Sequence, residues 1–280
     1  MRSPLTAILL AATFLTGAAE AATLDRIRET GVLKMGFRED AAPYSYRDAV
    51  GGPAGYTVDL CRTVALGLKL QLQLEEISID YIPVGAEDRF QAVQDGKIDI
   101  LCGATTATLS RRELVDFSLP TFIDGASVLL RADGPGDFSE LSGHKVGVRA
   151  GTTTEETLKR SLAKDSIDAE VVAVKDHKDG LKQLEDGGIA AYFADQAILV
   201  YLAAGSKAKG ALHVSERFFT HEPYALALPR GDSDFRLAVD RALSRIYGGG
   251  AIRKIFANAF GSAKPSELVR ALYLISALPE

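Results

Sequence analysis

Short apolar runs and helical spacings alternate along the chain, a rhythm that predicts an α/β protein with largely parallel sheets. Residues 32–37 read as a first strand, and Val58, Cys61, Val64, Ala65 and Leu68 then recur on one helix face. The stretch between them, residues 38–55, carries Ala42-Pro43-Tyr44-Ser45-Tyr46 and Gly51-Gly52-Pro53 and reads as a loop. Residues 71–79 alternate polar and apolar like a half-buried strand. A helix over 87–94 turns Phe90 and Val93 inward and stops at Gly96, and a buried strand over 97–101 leads to Cys102.

The alternation breaks at residues 117–125, which read as a crossing from one domain to another. A second series follows, with strands expected at 127–130, 145–149, 169–174, 190–194 and near 212–215. Helices are expected at 153–163, 178–185 and 196–204. Residues 222–225 read as the return crossing. Phe235, Val239, Leu243 and Ile246 then mark an amphipathic helix over 232–247, and a further helix covers 251–260. Gly248-Gly249-Gly250 between these two helices reads as a stop, because it lacks the lysine and the preceding strand of a phosphate-binding loop. Residues 265–280, with Leu268, Leu272, Leu274 and Ile275, read either as a helix packed back on a domain or as a tail.

Composition adds a location and removes some function classes. One basic residue, an apolar run from Leu5 to Leu15 and Ala19-Glu20-Ala21 predict a signal peptide over residues 1–21, cleaved after Ala21, and hence export. No later stretch has the roughly 18 uninterrupted apolar residues of a spanning helix. The roughly 259 residues after the leader suffice for two domains of moderate size. A net charge of -5 gives no electrostatic reason to expect nucleic acid. Cys61 and Cys102 are the only cysteines, and in an exported chain they form either one disulfide or two buried thiols; sequence alone leaves both open.

Three positions suggest the chemistry of a small zwitterion. Arg111 follows the apolar strand and the run Cys102-Gly103-Ala104-Thr105-Thr106, and Ser110 with Glu113 forms a capping box that predicts a helix starting at Arg111. A guanidinium among the free N–H groups of a helix start suits a carboxylate, although a solvated surface arginine fits the same segment. Thr152 and Glu155 form a second capping box, so a second helix start opens at a strand end in the other domain. Asp195 ends one strand and begins a helix, where it could cap that helix or meet a ligand at the carboxyl edge of the sheet. His144, His213 and His221 have no neighbour at metal-ligand spacing and no Ser-His-Asp or Cys-His set is visible, so neither cofactor nor enzyme activity is expected.

Taken in order, several further stretches resemble the periplasmic solute-binding proteins of the polar amino-acid family, which feed ABC importers. They are Gly55-Tyr56-Thr57-Val58-Asp59-Leu60, Gly96-Lys97-Ile98-Asp99, Thr106 with Arg111, Asp116-Phe117-Ser118, Gly151-Thr152-Thr153, Asp195 and Leu228-Pro229-Arg230-Gly231-Asp232. The resemblance implies a two-lobe α/β fold with two hinge crossings, lobe 1 comprising residues 22–121 and 226–264, lobe 2 residues 125–220, and a C-terminal helix or tail over 265–280. It implies a periplasmic monomer that passes an amino acid to the membrane subunits of an ABC permease. Carried over by position, Arg111 and Thr106, with Thr152 or Thr153, would hold the α-carboxylate. Asp195 would take the ammonium, and Ala104 would offer only its carbonyl.

The pocket resembles the glutamate/aspartate receptors of that family through Arg38, Arg89 and His177, positions associated with a second carboxylate; Ala86 stands where such receptors can use a serine. Two guanidiniums facing each other would be costly without an anion between them. Tyr44 and Tyr46 are expected to wall the cleft. The alternatives are a small-carboxylate dehydratase on the same scaffold, with His177 or Glu39 as acid/base, and a sensory ligand-binding domain. The absence of a spanning helix before the end at Glu280 is read against the latter.

Overall fold

The computed structural model describes residues 23–208 and 210–280; the leader read at residues 1–21 lies outside them. Helix α1 (Thr23–Thr30) leads into strand β1 (Val32–Arg38). Three short strands follow, β2 (Asp40–Ala41), β3 (Ser45–Arg47) and β4 (Pro53–Ala54), then helix α2 (Tyr56–Gln71), β5 (Ser78–Val84), α3 (Arg89–Gln94) and β6 (Ile100–Cys102). Next come β7 (Asp116–Asp124), β8 (Ala126–Arg131), β9 (Lys145–Arg149), α4 (Thr153–Lys164), β10 (Glu170–Val174), α5 (His177–Glu185), β11 (Ala191–Asp195), α6 (Gln196–Gly205) and β12 (Leu212–Val214). Strand β13 (Glu222–Leu228) and helices α7 (Ser233–Gly248), α8 (Ala251–Phe260) and α9 (Glu267–Ile275) complete the chain.

Two five-stranded sheets result, ordered β5-β1-β6-β13-β7 and β10-β9-β11-β8-β12. Both are mixed rather than largely parallel. β1 pairs parallel with β5 and β6, and β9 pairs parallel with β10 and β11, but β13 and β8 pair antiparallel with their neighbours. The antiparallel strands are those that carry the chain between the sheets. β7 and β13 run side by side from Asp116↔Leu228 to Asp124↔Glu222, and Gly125 then turns the chain into the second sheet. Only glycine fits there, because a Cβ would meet the Thr220 carbonyl oxygen at 2.1 Å.

Three other expectations need correction. Residues 38–55 are not loop throughout but hold the small antiparallel sheet β2-β3-β4. The strand expected over 71–79 begins only at Ser78. Helix α2 runs to Gln71, Gln73 turns at φ 55°, and parallel pairing with β1 fixes β5 through Val84. The capping box at Ser110 does not form, and Arg111–Glu113 make one 3-10 turn without a side-chain cap. That turn ends where β7 begins at Asp116, which pairs with Leu228 of β13.

The segment after residue 265 is a packed helix. Ser266 caps α9, Val269 and Leu272 are buried, and the Tyr273 hydroxyl meets that of Tyr56 at 2.7 Å. Tyr56 in turn donates to the Thr121 carbonyl of crossing strand β7 at 2.7 Å. Tyr44, Tyr56, Phe122, Tyr224 and Phe260 form an aromatic cluster around the crossing, with the closest centroids 5.1 Å apart. Cys61 of α2 and Cys102 of β6 are joined in a disulfide, which ends the choice left open by the sequence.

Candidate functional site

Strand ends and helix starts from the two sheets meet around one cavity. The first sheet's side contributes Arg38 at the end of β1, Ala41, Arg89 at the start of α3, and Ala104, Thr106 and Arg111 beyond β6. The second side contributes Thr152, Thr153 and Thr154 at the start of α4, His177 at the start of α5, Asp195 at the end of β11, and Ile198. The structure thus brings Arg38, Arg89, Ala104, Thr106, Arg111, Thr152, Thr153, His177 and Asp195 to one cavity, and adds Ala41, Thr154 and Ile198. Tyr44 and Tyr46 do not reach it: Tyr44 is buried in the aromatic cluster and Tyr46 lies against Tyr201. The free space at the centre is about 20 Å³, on the order of one water.

The disulfide fixes the run from Cys102 to Thr106 against α2. Thr106 pairs with Tyr224 of β13 through the flanking bonds Ala107 N–H to Pro223 O at 2.8 Å and Ala225 N–H to Thr105 O at 3.0 Å. In that pairing the Thr106 N–H and C=O point away from β13. The carbonyl accepts from Arg111 Nη1 at 2.9 Å, which sets the guanidinium beside the Thr106 N–H. No helix dipole assists at Arg111, because only one turn forms there. The true helix start is α4. Thr152 caps it by accepting from Glu155 N–H at 3.1 Å, while Gly151 precedes it at φ 71°, a conformation that favours glycine. The first N–H groups of α4 are thereby presented to the cavity.

Arg89 is 2% exposed and has no carboxylate partner among the described residues. It donates to the Ala86 carbonyl and to the Gly151 carbonyl at 3.3 Å, and its Nε has no partner. Burial, with repulsion from Arg38 and Arg111, pushes its pKa well below the usual arginine range. Arg89 and Arg111 lie over the same Phe90 ring, at 4.8 and 5.1 Å. Arg38, also buried, differs: Asp40 Oδ1 accepts from its Nε at 2.9 Å and its Nη2 at 2.5 Å. The expectation of two bare guanidiniums is therefore corrected to one. Burial acts to raise the Asp40 pKa, but Arg38, His177 and Arg149 outweigh it and hold the carboxyl below its usual range.

His177 is buried, with Nδ1 2.6 Å from the Tyr192 hydroxyl. Burial lowers its pKa to about 4, so at neutral pH it is a hydrogen-bonding group rather than a cation. Asp195 occupies the cap position of α6 but makes no capping bond. Its carboxylate accepts instead from the Tyr224 hydroxyl and from Thr154 Oγ1 at 3.4 Å. Burial, then Glu222 and Asp124, raise its pKa well above the usual carboxylate range. Asp124, held by Tyr44 at 2.7 Å, is likewise raised by burial, to about 6.

Charge is thus ordered along the site: carboxylates gather near the crossing strands, Arg111 feels both Glu222 and Asp195, and Arg89 lies beyond with Arg38. Sequence reasoning missed Asp40, Arg149 and Glu222. The one available signal for Glu222 was an acid opening an otherwise apolar strand. A cavity of this kind can hold a cation at one end and two anionic groups further along.

A model of the bacterial extracellular solute-binding proteins, family 3, matches residues 33–262. The chain belongs to this family. An L-glutamate/L-aspartate-binding protein of Pseudomonas aeruginosa is 34% identical over 245 residues, 87% of this chain and 81% of the relative. A glutamate/aspartate import solute-binding protein of Escherichia coli is 29% identical over 95% of this chain and 90% of its own length. Among solved structures, an ancestral arginine-binding protein bound to glutamine superposes with a TM-score of 0.73, at 26% identity, over 83% of this chain and 99% of that one. Like these family members, the chain has the two-lobe fold with two crossing strands. No helix among its described residues is long and apolar enough to cross a membrane.

Proposed function

We propose that this family member captures L-glutamate or L-aspartate between its two lobes in the periplasm and, as a monomer, delivers it to an ABC permease. No bond is made or broken. Asp195 accepts from the ammonium, and the α-carboxylate lies against Arg111, Thr106 and the start of α4 at Thr152 and Thr153. The Ala104 carbonyl adds an acceptor for the ammonium. The side-chain carboxylate reaches Arg89, with Arg38 and His177 beside it.

The observation that carries the acidic preference is Arg89, a buried guanidinium with a free Nε and, among the described residues, no counter-ion. Such a charge is costly to bury alone, and an anion in the cavity relieves that cost. The glutamate/aspartate relatives support the same choice. Replacement of Arg111 by Ala tests the shared α-carboxylate contact. Affinity for glutamate and aspartate should fall by about 3 to 5 kcal/mol in equilibrium titration; a loss under about tenfold would contradict the assignment.

A further inference from the structure

Glu222 begins the return crossing strand, is 3% exposed, and does not line the cavity. Its Oε2 accepts from the hydroxyl of Thr106 on one side of the cleft and from that of Thr153 on the other, the latter at 2.7 Å. Its Oε1 accepts from Thr220 at 2.9 Å. The two cleft hydroxyls are 3.3 Å apart and converge on a single carboxylate oxygen.

A hydroxyl has one proton and two lone pairs. Once the Thr106 proton is committed to Glu222, the oxygen can offer the cavity only lone pairs, which repel a ligand carboxylate and attract an ammonium. The Thr106 N–H, turned away from β13 and beside Arg111, remains the donor for the carboxylate. Thr106 would thus serve both halves of a zwitterion, N–H to the carboxylate and Oγ1 to the ammonium. What separates the two roles is the direction of the hydroxyl.

We infer that Glu222 is a positioning residue that fixes the Thr106 hydroxyl as an acceptor for the ligand ammonium, acting through Thr106 and not by touching the ligand. The inference rests on the reading of the cavity as an amino-acid site. It explains a buried acid on an apolar strand that the direct contacts of the site do not use. It also ties discrimination of the ammonium to the crossing strand about which the lobes part.

The test is a double-mutant cycle on L-glutamate affinity with Glu222→Leu and Thr106→Val, each variant checked for its fold by circular dichroism melting. Glu222→Leu alone should weaken binding by about 10- to 100-fold, the scale of one charge-assisted hydrogen bond. In the Thr106→Val background the same change should cost less than about threefold, since no hydroxyl is left to orient. Equal losses in both backgrounds would overturn the inference while leaving the site reading intact. Wild-type protein that binds neither glutamate nor aspartate would overturn both.

Glu222→Gln gives a second check that does not depend on Glu222→Leu folding. The amide keeps an oxygen for Thr106, so affinity should stay within about threefold of wild type. A loss of about tenfold or more would show that charge, not hydroxyl direction, matters, and would equally overturn the inference.

Discussion

Arg149 of β9 reaches across the cleft to Glu87, its Nη1 donating to Oε1 at 2.6 Å and its Nη2 to Oε2 at 3.2 Å, while its Nε meets Asp40 at 3.3 Å. One guanidinium from the second sheet's side thereby holds two carboxylates of the first. One of these, Asp40, is the partner that compensates Arg38.

Arg149→Ala should therefore favour lobe opening. The Glu87 side chain is 56% exposed, so solvent screens that arm and the expected loss is modest, about 1 kcal/mol. Stopped-flow measurements should find the effect in faster ligand release, and added salt should shrink the gap between variant and wild type. An unchanged release rate would remove Arg149 from the closure mechanism.

Arg89→Met should separate stability from binding. Deleting a buried charge without a counter-ion should raise the melting temperature of the ligand-free protein, by the equivalent of about 1 to 3 kcal/mol. The same change should weaken glutamate binding by about 100-fold or more. A variant both less stable and equally avid would contradict the role given to Arg89.

The acid cluster predicts proton linkage. Asp195 and Asp124 have raised pKa values, Asp124 about 6, so in the ligand-free protein the cluster retains protons that a free carboxylate would have lost. An arriving ammonium favours the ionised form, so binding near pH 6, where Asp124 titrates, should release protons. The heat of binding should then vary with the ionisation enthalpy of the buffer in that sense. Buried His177, lowered to about 4, is neutral at that pH and does not contribute a proton to that release. Buffer-independent heats would count against the ammonium site at Asp195.

Much of the fold was legible because its signals are local. The 145–149 strand and the 251–260 helix were read to the residue, since β-branched alternation and a glycine-bounded amphipathic face lie within each segment. The helix start at Arg111 was misread because a capping box is only local, whereas pairing of β7 with β13 decides where that turn ends. Asp195 was placed at a strand end, yet nothing local told that its carboxylate would leave the cap position for Tyr224. Partners such as Arg149–Asp40 and Thr106–Glu222 lie 109 and 116 residues apart. No pattern within a segment reports a pair that strand pairing, as for Thr106 beside β13, or the approach of the two sheets, as for Arg149 and Asp40, alone creates.

The central claim is an amino-acid site with a second, uncompensated cation for an acidic side chain. Equilibrium calorimetry on protein stripped of ligand, titrated in turn with L-glutamate, L-aspartate and L-glutamine, tests it most directly. Glutamate or aspartate should bind tightly and glutamine much more weakly, because a neutral amide leaves Arg89 without its anion. Preference for glutamine over both acids would contradict it.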